Sequence, residues 1–159
     1  MAERPGASIA VLTRNKVGNI YVAAIQRDDD PAIAYPGRWE LPGGTLEPDE
    51  TPEEGARREC GEEINVVVNP DEILGNDEDL IEEAVNTTLV VAMVAFTRAN
   101  AMKLGDEGQA CKLIKLNDFL DDSLVIPEHR MRLRRYVVAM GQSALIECMP
   151  ILVSATKEE

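Results

Sequence analysis

The chain has 159 residues, of which 45% are apolar and only 4% aromatic, and it carries a formal net charge of −13. This length predicts a single domain over residues 1–159, with a core of Ile, Val, Leu and Ala rather than rings. The charge argues against binding a DNA or RNA polymer, which needs a basic surface, but leaves room for a small nucleotide whose phosphates arrive with metal ions. Cys60, Cys111 and Cys148 form an odd set without metal-ligand spacing, so they read as reduced thiols in a cytoplasmic protein. Residues 1–6 lack the apolar run of a signal sequence, and the longest apolar run, residues 89–96, is too short to span a bilayer.

In chain order, residues 7–13 are apolar and β-branched and predict a strand. Residues 14–19 form a turn with Gly18-Asn19 at its tip, and residues 20–26 predict a second strand, giving a hairpin. Residues 28–37 read as a loop, in which Asp28, Asp29 and Asp30 are a solvated turn. Residues 39–42 predict a short strand running into Gly43 and Gly44. Trp39, the only tryptophan, belongs to the core or to the edge of a pocket.

Residues 52–63 predict a helix marked at both ends. Thr51 is a suitable N-cap, Glu54 completes a capping box, and Pro52 falls at the first helical position. Asn65 suits a left-handed residue just past the end. Glu53–Arg57 and Glu54–Arg58 are favourable pairs four apart that need no function. Glu59, Glu62 and Glu63 fan over one side of the helix. Glu59 and Glu63 repel each other, and all three lie where the helix dipole disfavours anions. A hard divalent cation such as Mg²⁺, which takes oxygen ligands, would relieve both penalties; a solvated acidic face is the plain alternative.

Beyond the helix, residues 65–68 predict a strand, and residues 69–84 an acidic loop or short helix, or an insert that meets a second subunit or substrate. Residues 85–97 predict a central strand covered on both faces. Residues 98–110 read as a loop, 111–116 as a strand, 117–120 as a helical turn, and 127–140 as an amphipathic helix beginning at Pro127. His129, the only histidine, is expected to be structural or exposed. Arg130, Arg132, Arg134 and Arg135 are expected to form a solvated face. Residues 141–159 form a tail with an apolar middle, suited to an edge strand or to a homodimer interface. The mixture of strands and helices without a repeat places the chain in the α/β class.

The stretch from Gly43 to Val66 resembles the Nudix box. Its pattern of Gly, five residues, Glu, seven residues, Arg-Glu, an aliphatic, one residue, Glu-Glu, one residue, Gly and an aliphatic is matched by Gly44, Glu50, Arg58, Glu59, Glu62, Glu63 and Val66. Two positions depart from it. Cys60 stands for the aliphatic residue and acts as a small hydrophobe. Asn65 stands for the glycine and tolerates the left-handed region. The lead-in WELPGG is close to the usual one, and the resemblance spans about residues 7–140.

The resemblance implies a Nudix-type α-β-α sandwich with a mixed sheet. It also implies Mg²⁺-dependent (Mn²⁺ possible) hydrolysis of a nucleoside diphosphate linked to another group. As in MutT-like members, the substrate is expected to be a nucleoside triphosphate, cut to monophosphate and pyrophosphate. An ADP-ribose or other nucleotide-sugar pyrophosphatase, or a non-catalytic nucleotide-binding module, is the alternative. By resemblance, Glu59, Glu62, Glu63, the Gly43 carbonyl and Glu107 are the metal positions, with Asp106 second to Glu107. Arg58 would orient Glu59, Glu59 or Glu107 would accept a proton from water, and Glu50 would brace the loop. Arg27 resembles a residue set against substrate phosphate, a plain exposed arginine being the alternative; Gly44 and Trp39 complete the expected substrate contacts.

Overall fold

Strand β1 (Gly6–Arg14) is the centre of the sheet, with three strands paired directly to it. The computed structural model describes residues 4–81 and 86–141. β1 pairs antiparallel with β2 (Ile20–Gln26) and with the short β4 (Gly43–Thr45), and parallel with β6 (Thr87–Met93). β2 also pairs with β3 (Trp39–Glu40) and β7 (Ala110–Lys115), while β5 (Ile73–Asn76) closes the other side on β6. The result is a seven-stranded mixed sheet.

Alternation along the strands divides the core in two. Ile9, Val11, Ala23, Ile25, Val90 and Ala92 face α1 (Pro52–Ile64), meeting its Ala56, Cys60 and Ile64. Ala10, Leu12, Val22, Ala24, Leu89 and Val91 face the opposite way. There they meet Phe119 and Leu120 of α3 (Leu116–Asp121) and Leu133, Tyr136 and Val137 of α4 (Pro127–Met140). Helices on both faces of a mixed sheet form the expected sandwich, and they explain why the central strands are apolar on both sides.

The main helix forms as its ends predict. Thr51 Oγ1 accepts from Glu54 N at 3.2 Å, Glu54 Oε1 accepts from Thr51 N at 3.0 Å, and Asn65 is left-handed at φ 57°. The hairpin, β7, α3 and α4 also lie where the sequence places them.

Four expectations are corrected. Residues 65–68 are extended without a sheet partner: Val66 and Val68 are buried and Val67 is exposed, so the alternation is real but the segment packs under α1. Inside the acidic stretch, residues 73–76 form β5, with a bulge beside Gly75. The long apolar run ends as a strand at Met93 and turns into α2 (Phe96–Asn100), which buries Phe96 and Ala99. Arg132 is not on a solvated face. It is 8% exposed, and its Nε and Nη2 donate at 2.8 Å to the two oxygens of fully buried Asp77. Arg132 also donates to Thr87 Oγ1 and O, and Asp77 accepts from Leu89 N, so one ion pair ties α4 to β6 and the β5 connection. Residues 82–85 of the acidic stretch, and the tail beyond Gly141, lie outside the described residues.

Candidate active site

The glycine pair and the acidic end of α1 meet because β4 lies on β1 with α1 packed over both. A side chain on Gly43 would place its Cβ 2.4 Å from Ala7 O, so only glycine lets β4 lie this close to β1. A Cβ on Gly44 would stand 2.5 Å from Glu59 Oε1, so the missing side chain makes room for that carboxylate. Gly43 N–H donates to Glu63 Oε1 at 2.7 Å.

A second pin holds the loop of residues 101–109 against the same helix end. Gly105 N–H donates to Glu63 O at 2.8 Å, and Lys103 N–H donates to Ile64 O at 2.9 Å. These bonds satisfy carbonyls that the helix end would otherwise leave unpaired. Asn65 Nδ2 returns a bond to Lys103 O, and Gln109 anchors the far side through Gln26 O and Arg27 O. Between these anchors sit Asp106 and Glu107. Gly105 abuts Glu62 O so closely that a Cβ would be 2.3 Å from it.

Gly43, Gly44, Thr45, Glu59, Glu62, Glu63, Asp106 and Glu107 thus line one open cavity of about 490 Å³. Every side-chain donor atom there from the acids is oxygen, the chemistry a hard divalent cation requires. Burial pushes the Glu63 carboxyl up to about 7, against the lowering pull of the Gly43 N–H; the carboxylates of Glu59, Glu40 and Glu107 raise it further. A cation would offset this crowding, so the residues fit one. The acids line the cavity without closing on a point: among the described residues, no three form a ready-made metal cage.

Arg58 does not line the cavity but stands behind it. Its Nε and Nη2 donate to the two oxygens of Glu50 at 2.8 and 2.9 Å. Its Nη1 donates to Glu59 at 3.0 Å and reaches Glu62 at 3.3 Å, and Nη2 also caps Thr45 O at 3.2 Å. The fork on Glu50 is the strong bidentate kind, and hydrogen bonding to Arg58, then to Glu47, holds the Glu50 carboxyl down at about 2. Arg58 therefore supplies part of the countercharge the acids need and connects the loop at Glu50 to the cavity at Glu59.

Arg27 and Trp39 are placed apart from these acids. Arg27 Nη1 pairs with both oxygens of Glu40 at 3.2 Å, and its Nε donates to Ala34 O. Trp39 is half-buried against the core, with Lys112 Nζ 4.5 Å above its ring. Sequence reasoning missed Glu40, whose charge reaches Glu63, and missed the two pins Gly105 and Gln109. Glu40 is legible only as part of the lead-in to the glycines, and the pins carry no local signal. It also missed His129 Nδ1, which accepts from Leu41 N at 2.9 Å and so fixes the strand leading into the glycines.

A family model described as the NUDIX domain matches residues 3–136. The chain belongs to the Nudix family. Residues 44–66, which match the box pattern, lie inside that span, and members of the family are hydrolases of pyrophosphate bonds that generally depend on a divalent metal. A MutT-like protein from Streptomyces ambofaciens is 52% identical over 52 residues, which are 33% of this chain and 30% of that relative. The chain thus matches less than a third of that curated relative's length. Among solved structures, the Nudix hydrolase RenU of M. smegmatis superposes with a TM-score of 0.69 at 18% identity, covering 87% of this chain and 88% of that one. The NUDIX domain of Shewanella oneidensis NrtR, solved with ADP ribose, gives 0.61 at 20% identity over 89% and 90%. A C. elegans Ap4A hydrolase gives 0.61 at 22% identity over 85% and 96%. These likenesses establish the Nudix fold.

Proposed function

We propose that this protein is a Mg²⁺-dependent Nudix pyrophosphohydrolase that cuts a nucleoside triphosphate to monophosphate and pyrophosphate. The observation that carries the reading is the shared cavity, where acids from α1 and from the pinned loop meet at the glycine pair. Glu59, Glu62, Glu63, Glu107 and the Gly43 carbonyl are the groups that would hold the metal. When bound, a divalent ion supplies charge neutralisation for the polyphosphate and lowers the pKa of water. The chain's own share is positional, as suits phosphoryl transfer. Arg58 orients Glu59 through its hydrogen bond while Glu50 fixes Arg58. Glu107 or Glu59 accepts the proton as water adds to phosphorus, and the anhydride P–O bond breaks to release pyrophosphate. Gly44 leaves space for that arrangement. Arg27, paired with Glu40 on the strand before the glycines, would meet a substrate phosphate only by exchanging its partner.

ADP-ribose is the competing substrate. The NrtR structure was solved with ADP ribose, and an enzyme of similar fold from Francisella tularensis combines NMN adenylyltransferase with ADP ribose pyrophosphatase. We place the protein in the cytoplasm as a single domain acting on a small nucleotide. No helix among the described residues is long and apolar enough to cross a membrane. A panel of nucleoside triphosphates, ADP-ribose and nucleotide sugars, with Mg²⁺ or Mn²⁺ and identification of products, tests the reading. The expected result is fastest release of pyrophosphate from a triphosphate. ADP-ribose turned over far faster than every triphosphate would overturn the substrate assignment, and saturable binding without turnover would point to a non-catalytic module.

A further inference from the structure

Helix α4 has two unlike sides. Its inner side buries Leu133, Tyr136 and Val137 in the core and holds Arg132 on Asp77. Its outer side carries Met131, Arg135 and Val138, spaced i, i+4 and i+7, which makes one stripe along a helix. Met131 is 56% exposed and Val138 75%. Of the seven exposed large apolar side chains among the described residues, four fall on this helix or just ahead of it: Leu124, Met131, Val138 and Met140. Exposed apolar residues scattered singly need no explanation, but a cluster along one helix marks a contact surface. Arg135 lies between the two apolar groups of the stripe and makes no hydrogen bond or ion pair among the described residues. Its neighbour Arg134 is already taken up by Leu120 O and Asp121.

The chain itself supplies a matching segment. Gly141 leaves α4 with φ 79°, a left-handed value that breaks the helical path. Three residues later an apolar run begins, residues 144–153, whose only charge is Glu147. Alternate residues of an extended chain share a face, so Leu145, Glu147 and Met149 would offer an apolar, an acidic and an apolar group in turn. Read back from the end of α4, the stripe offers Val138, Arg135 and Met131: apolar, basic, apolar. Val138 and Met131 are seven residues apart on the helix, a rise of about 10.5 Å. Leu145 and Met149 are about 13 Å apart on an extended chain. The flexible side chains of the two methionines take up the difference. A segment tethered this closely also acts at an effective concentration of about millimolar, an advantage no separate partner has.

We propose that the outer face of α4 is the docking surface for residues 144–153 of the same chain, which double back along the helix with Leu145 on Val138, Glu147 on Arg135 and Met149 on Met131. The strap covers the helix whose inner side carries the Arg132–Asp77 pair and the His129 bond to Leu41. It is independent of the substrate reading. The test uses the full-length protein with a nitroxide spin label on Cys148, which this register turns away from the helix. Cys60 is buried, and Cys111 is replaced by Ala so that it takes no label. Methyl NMR signals are then followed. Those of Met131 and Val138 should lose most of their intensity, while those of Val67, exposed on the α1 side of the sheet, keep theirs. Glu147→Lys should lower the docked-to-free ratio by about two- to fivefold, as suits an exposed ion pair, and Arg135→Glu in the same chain should restore it. Undiminished Met131 and Val138 signals overturn the proposal, as they place the segment elsewhere, such as on the open side of β5. So does intensity lost only when spin-labelled protein is mixed with isotope-labelled, spin-free protein, since the occupant is then a second copy. Intensity that ignores both charge reversals overturns the stated register.

Discussion

Gly43 N–H donates to Glu63 Oε1 at 2.7 Å, so the glycine pair and the last turn of α1 are one bonded unit. Burial, with the carboxylates of Glu59, Glu40 and Glu107, holds the proton on Glu63 up to about 7 even though the Gly43 N–H favours the carboxylate. The folded protein therefore keeps a proton that the unfolded chain releases near 4.5. Stability from this group is full below 4.5 and is lost as pH rises through 7. For a partly exposed carboxyl, solvent screening limits the loss to about 2 kcal/mol. Urea unfolding in chelator at pH 5 and pH 8 should give a change in stability that is lower in wild type than in Glu63→Gln by about that amount.

His129 has the opposite slope. Its pKa of about 4 lies below the ordinary 6.5, so the stability it contributes is present above 6.5 and lost as pH falls through 4. The difference corresponds to about 3 kcal/mol. His129→Asn should remove the rise in stability between pH 4 and 6.5, whereas Glu63→Gln should remove the fall between pH 4.5 and 7. The wild-type profile between pH 5 and 7 should be flatter than that of either variant, because the two slopes oppose each other.

The adjacent glycines should fail differently. A methyl at Gly43 meets the backbone of Ala7 and Ser8 at 2.4 and 2.7 Å, which cannot move cheaply; Gly43→Ala should cost about 1–3 kcal/mol of stability. A methyl at Gly44 meets only the end of the Glu59 side chain. Gly44→Ala should keep its melting temperature within a few degrees and lose activity by about tenfold or more, since small misplacements at a reacting centre are costly. Thermal unfolding and kcat/KM on the two variants separate the cases.

Arg132 and Asp77 should behave as a buried ion pair. Arg132→Met or Asp77→Asn each leaves its partner without an opposite charge in the core, at a cost of about 3–5 kcal/mol. The double replacement should cost less than the sum of the two, which a double-mutant cycle by denaturant unfolding measures directly.

What could be read from the sequence was whatever the chain states locally. Thr51, Pro52, Glu54 and Asn65 mark the helix within a few residues of its ends, and the acids on it are in register with one another. Arg132 was misread because Asp77, the residue that buries it, lies 55 positions away. His129 was left between a structural and an exposed placement because its partner is the backbone of Leu41, 88 positions away. β5 was hidden because Ile73 and Leu74 stand among acids and the strand is completed only by β6. α2 was hidden because Phe96 continues the apolar run and no side chain caps the helix start. The site shows the same division: its acids were legible, while the pins that place Glu107, Gly105 N–H on Glu63 O and Gln109 N–H and Nε2 on Gln26 O and Arg27 O, all end on backbone carbonyls of distant segments.

The most direct test of the account is calorimetric titration of Mg²⁺ and Mn²⁺ into wild type and into a Glu59→Gln/Glu63→Gln variant, with hydrolysis followed under the same conditions. The account predicts saturable metal binding in wild type and its loss, together with turnover, in a folded variant. Turnover that persists in the variant or in excess chelator, or the absence of saturable metal binding in wild type, would contradict it.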